Sequence, residues 1–106
     1  MAKFIINERG VCANPEKVCV SNRSGYIEVA VAQFDNGKWG YSLTYKLNNR
    51  YGGGLPSEKF AYCESKEKAY LAALDELIQI RFPAEYSALK KQMFEKLGER
   101  AQLSLF

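Results

Sequence analysis

The chain has 106 residues, the size of one ordinary domain. With 47% hydrophobic and 25% charged residues and no apolar run near the ~20 that span a bilayer, it falls outside the membrane, collagenous, disordered and disulfide-scaffold classes. It has no histidine, which removes the commonest general base and metal ligand, and its net charge of +3 is modest for a nucleic-acid binder.

Phe4-Ile5-Ile6 is a short apolar run expected as strand, and the charges that follow do not read as a secretory signal. Val18-Cys19-Val20 is a second run, reached after the turn-forming Asn14-Pro15. From Tyr26 to Phe34 the chain alternates, with Ile27, Val29 and Val31 on one face. Asp35-Asn36-Gly37-Lys38 is a turn, and Trp39 to Lys46 alternates again with Trp39, Tyr41, Leu43 and Tyr45 on one face. Two alternating runs around a glycine turn predict a β-hairpin. The Trp39 face is expected to be core, leaving Glu28, Ser42, Thr44 and Lys46 toward water or a partner.

Residues 47–56 read as a loop because three consecutive glycines suit neither a helix nor an interior strand. Lys59 to Cys63 is expected as one more short strand. Ser65 is placed to cap a helix running to about Arg81, with Tyr70, Ala73, Leu74, Leu77 and Ile78 at helical spacing. Phe82-Pro83 breaks it, and a second helix presents Tyr86, Leu89, Met93 and Leu97 on one face until Gly98 ends it. Strands first and helices last predict an α+β fold: an antiparallel sheet of three to five strands with two helices packed on one face. The expected organisation is one domain over residues 1–97 and a flexible tail over 98–106.

No catalytic constellation emerges, so a non-enzymatic role is expected. Asp75 and Glu76 are adjacent on a helix and point in different directions. Three cysteines without imidazole fall short of a zinc site. They are expected as small buried or half-buried hydrophobes in a reducing, cytoplasmic setting, with no metal and no cofactor. Residues 1–60 hold eight Lys/Arg against five acids, whereas residues 61–106 hold seven of each, so the whole excess of positive charge lies in the first part. It forms either a phosphate-facing surface or a solvated face. Lys38, Lys46, Arg50, Tyr51, Gly52 and Gly53 are the candidate nucleic-acid residues: cations, an aromatic and a flexible backbone whose amides can cradle phosphate. They match neither the Walker A pattern nor the dinucleotide fingerprint, and the alternative is a hairpin connection whose glycines serve geometry.

The chain ends in Gln102-Leu103-Ser104-Leu105-Phe106. This pentapeptide resembles the bacterial sliding-clamp-binding motif, Gln-Leu-Ser/Asp-Leu-Phe, at all five positions. The resemblance implies docking in a groove of the ring-shaped β clamp of the replisome. Leu105 and Phe106 would fill the main hydrophobic subsite and Gln102 a neighbouring polar one; Leu103 would add apolar contact and Ser104 would face outward. Burying Leu105 and Phe106 is worth ~3–6 kcal/mol before the cost of ordering the tail.

Farther back, Gly37-Lys38-Trp39-Gly40-Tyr41, Gly52-Gly53-Gly54-Leu55-Pro56, Phe60 and Ser65 to Leu77 resemble small uncharacterised domains of phages, plasmids and other mobile elements. The two resemblances imply an adaptor on the DNA polymerase III β sliding clamp, acting in or modulating DNA replication, with DNA or a host protein complex as further partner. The alternative is an inhibitor of a host nuclease or defence complex, of anti-CRISPR or antirestriction type. No membrane partner is expected.

Overall fold

A computed structural model describes residues 4–23, 25–47 and 50–101, and the side chains of all of these except 50, 51 and 85. Four antiparallel strands lie in the order of the chain: β1 (Glu16–Asn22), β2 (Gly25–Gln33), β3 (Trp39–Leu47) and β4 (Arg50–Gly52). Two helices follow, α1 (Lys66–Gln79) and α2 (Ser87–Arg100), and both pack on one face of the sheet. The architecture is α+β, as the order of the elements implies, but residues 47–56 are not all loop: Leu47 ends β3, and Arg50–Gly52 pairs with it as a short edge strand.

The β2–β3 hairpin forms where two alternating runs meet a turn. Gly37 adopts φ 82°, a conformation that side-chain-bearing residues rarely take, and Asn36 Oδ1 accepts from the Lys38 N–H at 2.8 Å. The register pairs Ile27 with Tyr45, Val29 with Leu43 and Val31 with Tyr41, and β1 sets Val18 and Val20 beside Val29 and Ile27. One face of three strands is therefore apolar throughout. Against it α1 lays Ala69, Tyr70, Ala73, Leu74 and Leu77, and α2 lays Leu89, Met93 and Leu97, all buried. Trp39, Tyr41 and Tyr45 are half-buried against this core. Ile78, at helical spacing in the sequence, instead faces solvent, and Ala69 takes the inward position.

Both helices start as their sequences suggest. Ser65 is the N-cap of α1, its Oγ accepting from the Lys68 N–H at 3.2 Å. Pro83 precedes a short 3-10 turn, Ala84–Tyr86, that leads into α2. The end of α2 differs from expectation. The helix continues through Gly98, which is buried, to Arg100, and Ala101 closes it with its N–H on Leu97 O at 2.8 Å. Gly98 is buried within the helix rather than stopping it, so the folded body reaches Ala101 and not residue 97.

The second face of the sheet is covered in part: Lys46 is exposed and Glu28 and Ser42 are half-buried, but Thr44, expected toward water or a partner, is buried. Ala30, Ala32, Gly40 and Thr44 are buried. A second small core joins Ala32 and Phe34 to Cys12 and Ala61, with Phe4 and Ile6 packed beside it. Two segments make this cover. Phe4-Ile5-Ile6 contributes a single bridge, Ile6 to Cys12, rather than a strand. Lys59 to Cys63 is not a strand either: Glu58–Phe60 is a 3-10 turn, and only Cys63 returns to the sheet, bridging Trp39. Small side chains on that face let backbone lie close, so loop rather than strand or helix seals it. Of the thiols, Cys12 is buried and Cys63 half-buried, but Cys19 is exposed on the edge strand. Among the described residues no helix is long and apolar enough to cross a membrane.

Candidate functional site

Four of the residues singled out as nucleic-acid candidates come together on one hairpin. β3 and β4 pair Leu47 with Arg50, Lys46 with Tyr51 and Tyr45 with Gly52. Gly25 pairs with Leu47, which brings the β1–β2 turn alongside. The result is a shallow hollow of about 410 Å³ lined by Ser21, Asn22, Arg23, Tyr26 and Lys46, with the backbone of Gly25 and Leu47. Arg23 and Lys46 are exposed, and among the described residues no salt bridge engages either. Two exposed cations beside hydroxyl and amide groups suit contact with a phosphate-type anion. Arg23 escaped the sequence reading because its neighbours are turn-forming polar residues; the run Ser21-Asn22-Arg23 was the available signal.

Lys38 is not part of this patch. It lies at the far end of β3, eight positions from Lys46, or about 27 Å of extended chain. Its Nζ is 2.7 Å from Glu64 Oε1, and that ammonium holds the Glu64 carboxyl below the usual range. The Gly-rich loop also has a structural account. Gly53 has φ 121°, and a Cβ there would sit 2.4 Å from Thr44 Cα; one on Gly52 would touch the Tyr45 ring at 3.0 Å. Thr44 Oγ1 accepts from the Gly54 N–H and donates to Gly54 O, each at 3.2 Å. The loop is pressed onto β3, and the amide of Gly54 is engaged by the body. These contacts support the geometric alternative for the glycines over the phosphate cradle.

Two tyrosine–carboxylate pairs tie α1 to the sheet. The Tyr41 phenol donates to Glu76 Oε1 at 2.9 Å, and the Tyr70 phenol donates to Glu16 Oε2. Burial, reinforced by the neighbouring carboxylate, pushes both phenols well above the ordinary tyrosine range. Lys66 Nζ lies 3.6 Å from Glu16, so the carboxylate that Tyr70 meets is also balanced by charge. These groups orient a helix on a sheet. Partial burial raises the Cys63 thiol, and partial burial of the sulfur with the nearby Glu28 carboxylate raises that of Cys19, which disfavours the reactive thiolate.

Gln102, Leu103, Ser104, Leu105 and Phe106 lie outside the described residues. The last described residue, Ala101, belongs to the main core. No protein-family model matches the chain, and comparison with curated proteins and with solved structures finds no match.

Proposed function

We propose that this protein is a non-enzymatic adaptor that docks on the bacterial β sliding clamp through Gln102, Leu103, Ser104, Leu105 and Phe106, and that it acts in or modulates DNA replication. The five-position match of Gln-Leu-Ser-Leu-Phe carries the reading. One feature of the body supports it: Arg23 and Lys46, which pair with no acid among the described residues, suit contact with DNA held by the ring. A lone peptide of this kind binds at roughly micromolar strength, and a second contact raises the effective affinity by tethering.

The test is recovery of the full chain on an immobilised bacterial clamp beside a Leu105→Ala, Phe106→Ala double variant. Removing both side chains should weaken binding about 100-fold or more. Equal recovery of the two proteins would end the adaptor reading. A second reading, a mobile-element inhibitor of a host nuclease or defence complex, draws on Phe60 and Tyr62, which are 64% and 76% exposed. It predicts inhibition that survives the same double substitution.

A further inference from the structure

β3 is left open along part of one edge. Trp39 shows which way its backbone groups point. The Trp39 N–H donates to Cys63 O at 2.8 Å, and its carbonyl accepts from the Cys63 N–H at 3.0 Å. In an antiparallel ladder the groups of alternate residues share a direction, so those of Tyr41, Leu43 and Tyr45 also point away from β2. Tyr45 and Leu47 meet β4 on that side. Tyr41 and Leu43 meet no strand there: among the described residues nothing pairs with their backbone on that edge.

The gap exists because the chain is needed elsewhere. After Gly52 it leaves the edge, folds over Thr44, pairs Ser57 with Val11, and packs Ala61 beneath Gly40 and Phe34. It returns to the edge only at Cys63. A cavity of about 430 Å³ occupies the gap, floored by Tyr41, Ser42 and Leu43. Leu55, Phe60 and Tyr62 form its loop side, and they are among the most exposed large apolar residues described. Ser42 Oγ, which lines the same cavity, is the one buried side-chain polar atom without a hydrogen-bond partner among the described residues. On the α1 side Glu76 is exposed, with Asp75 beside it. No cation lines this cavity among the described residues.

We infer that this gap receives a short extended segment of another protein, which adds a strand to β3 and sets a basic side chain beside Glu76 and an apolar one against Leu55, Phe60 and Tyr62. The backbone of Tyr41 and Leu43 supplies donors and acceptors for a strand, the means by which exposed sheet edges capture peptides. Alternation then dictates the pattern. The peptide residue opposite Tyr41 points to the helix side, where Glu76 favours Lys or Arg. Its neighbour, opposite Ser42, points to the loop side and is apolar. The blocked ends of the gap, β4 and Cys63, limit the ladder to about three residues, so the nine-residue β3 of a second copy does not fit. This inference does not rest on the clamp-docking reading.

The test uses the full chain, isotope-labelled for NMR, titrated with the end-blocked peptide acetyl-Ser-Arg-Leu-Arg-Ser-amide. Binding should shift the amide signals of Tyr41 and Leu43 and slow their hydrogen exchange about tenfold at saturation. N-methylation of both arginine backbone nitrogens should abolish it. Glu76→Gln, which keeps an acceptor for Tyr41, should weaken it about threefold. Phe60→Ser and Tyr62→Ser alter exposed side chains and should weaken it without unfolding the body. Absence of shifts at Tyr41 and Leu43, or equal binding of the N-methylated peptide, would overturn the proposal. Protection already present in the free chain and lost on Leu105→Asp would give the gap to the chain's own end instead. Protection that rises with protein concentration would give it to a second copy.

Discussion

Tyr70 concentrates the chemistry of this fold at one residue. Its ring fills the core under α1, and its hydroxyl reaches out to Glu16 on β1. Burial and the Glu16 hydrogen bond both favour the neutral phenol, so it stays protonated to higher pH in the folded state than in the unfolded chain. Tyr41 behaves alike through Glu76. The sign follows: above pH ~10, where unfolded tyrosine ionises, the folded state binds more protons, so stability falls as pH rises further. Urea unfolding measured from pH 8 to 11.5 should therefore show stability declining above pH ~10. Tyr70→Phe should flatten that decline and cost about 1 kcal/mol at neutral pH, where Glu16 loses its donor. An unchanged slope would show that the pair does not carry the pH dependence. Gly53 teaches a different lesson at the same scale. Its identity was plain in the sequence, but its purpose depends on Thr44, nine positions earlier and across a hairpin.

Among the elements, α1 is the one whose start is written locally, although it ends at Gln79 rather than near Arg81. Ser65 caps it in the structure as its position suggests, because a hydroxyl four residues before the first buried Ala69 can only serve the free N–H groups of that turn. Ser65→Ala should cost ~1 kcal/mol and lower the melting temperature by about 4–8 °C in a thermal scan. A loss well below this would mean that Lys66 and its neighbours are held by packing alone. The β2–β3 hairpin was legible for a similar reason: period two and a glycine turn are short-range signals. The stretch from Lys59 to Cys63 was not. Its alternation of Phe60 and Tyr62 with Ala61 and Cys63 suits a strand, yet Ala61 is claimed by the small core on the second face and Phe60 and Tyr62 are left exposed. The end of α2 misled for the converse reason, since a glycine that would terminate an isolated helix is tolerated where neighbouring elements bury it.

For the molecule as a whole, topology decides which charges can act together. The sequence showed a surplus of cations before residue 60 but not its arrangement. Folding separates Lys38, which pairs with Glu64, from Lys46, and brings Arg23 from the β1–β2 turn beside Lys46 and the β3–β4 hairpin. If that end touches duplex DNA, binding measured by fluorescence anisotropy should be weak and fall steeply with salt. Replacing Arg23, Lys46 and Arg50 together by Ala should reduce the slope of log K against log salt by about 2–3. Salt-independent binding, or none, would remove DNA from the partners of this surface.

The α+β class, the β2–β3 hairpin and the two helices were settled by near neighbours: alternation, a capping serine, a proline between helices; residues 4–6, residues 59–63 and the edge strand Arg50–Gly52 were not. Such signals act over a few residues and survive any tertiary arrangement. The cover on the second face, the open stretch of β3 at Tyr41 and Leu43, and the pairing of Arg23 with Lys46 required the folded chain. Each depends on segments far apart in the chain meeting across a sheet, and on whether Ala30, Ala32 and Gly40 leave room for a backbone to lie against them. No local pattern encodes that fit, because it is a property of surfaces that exist only once the strands have paired.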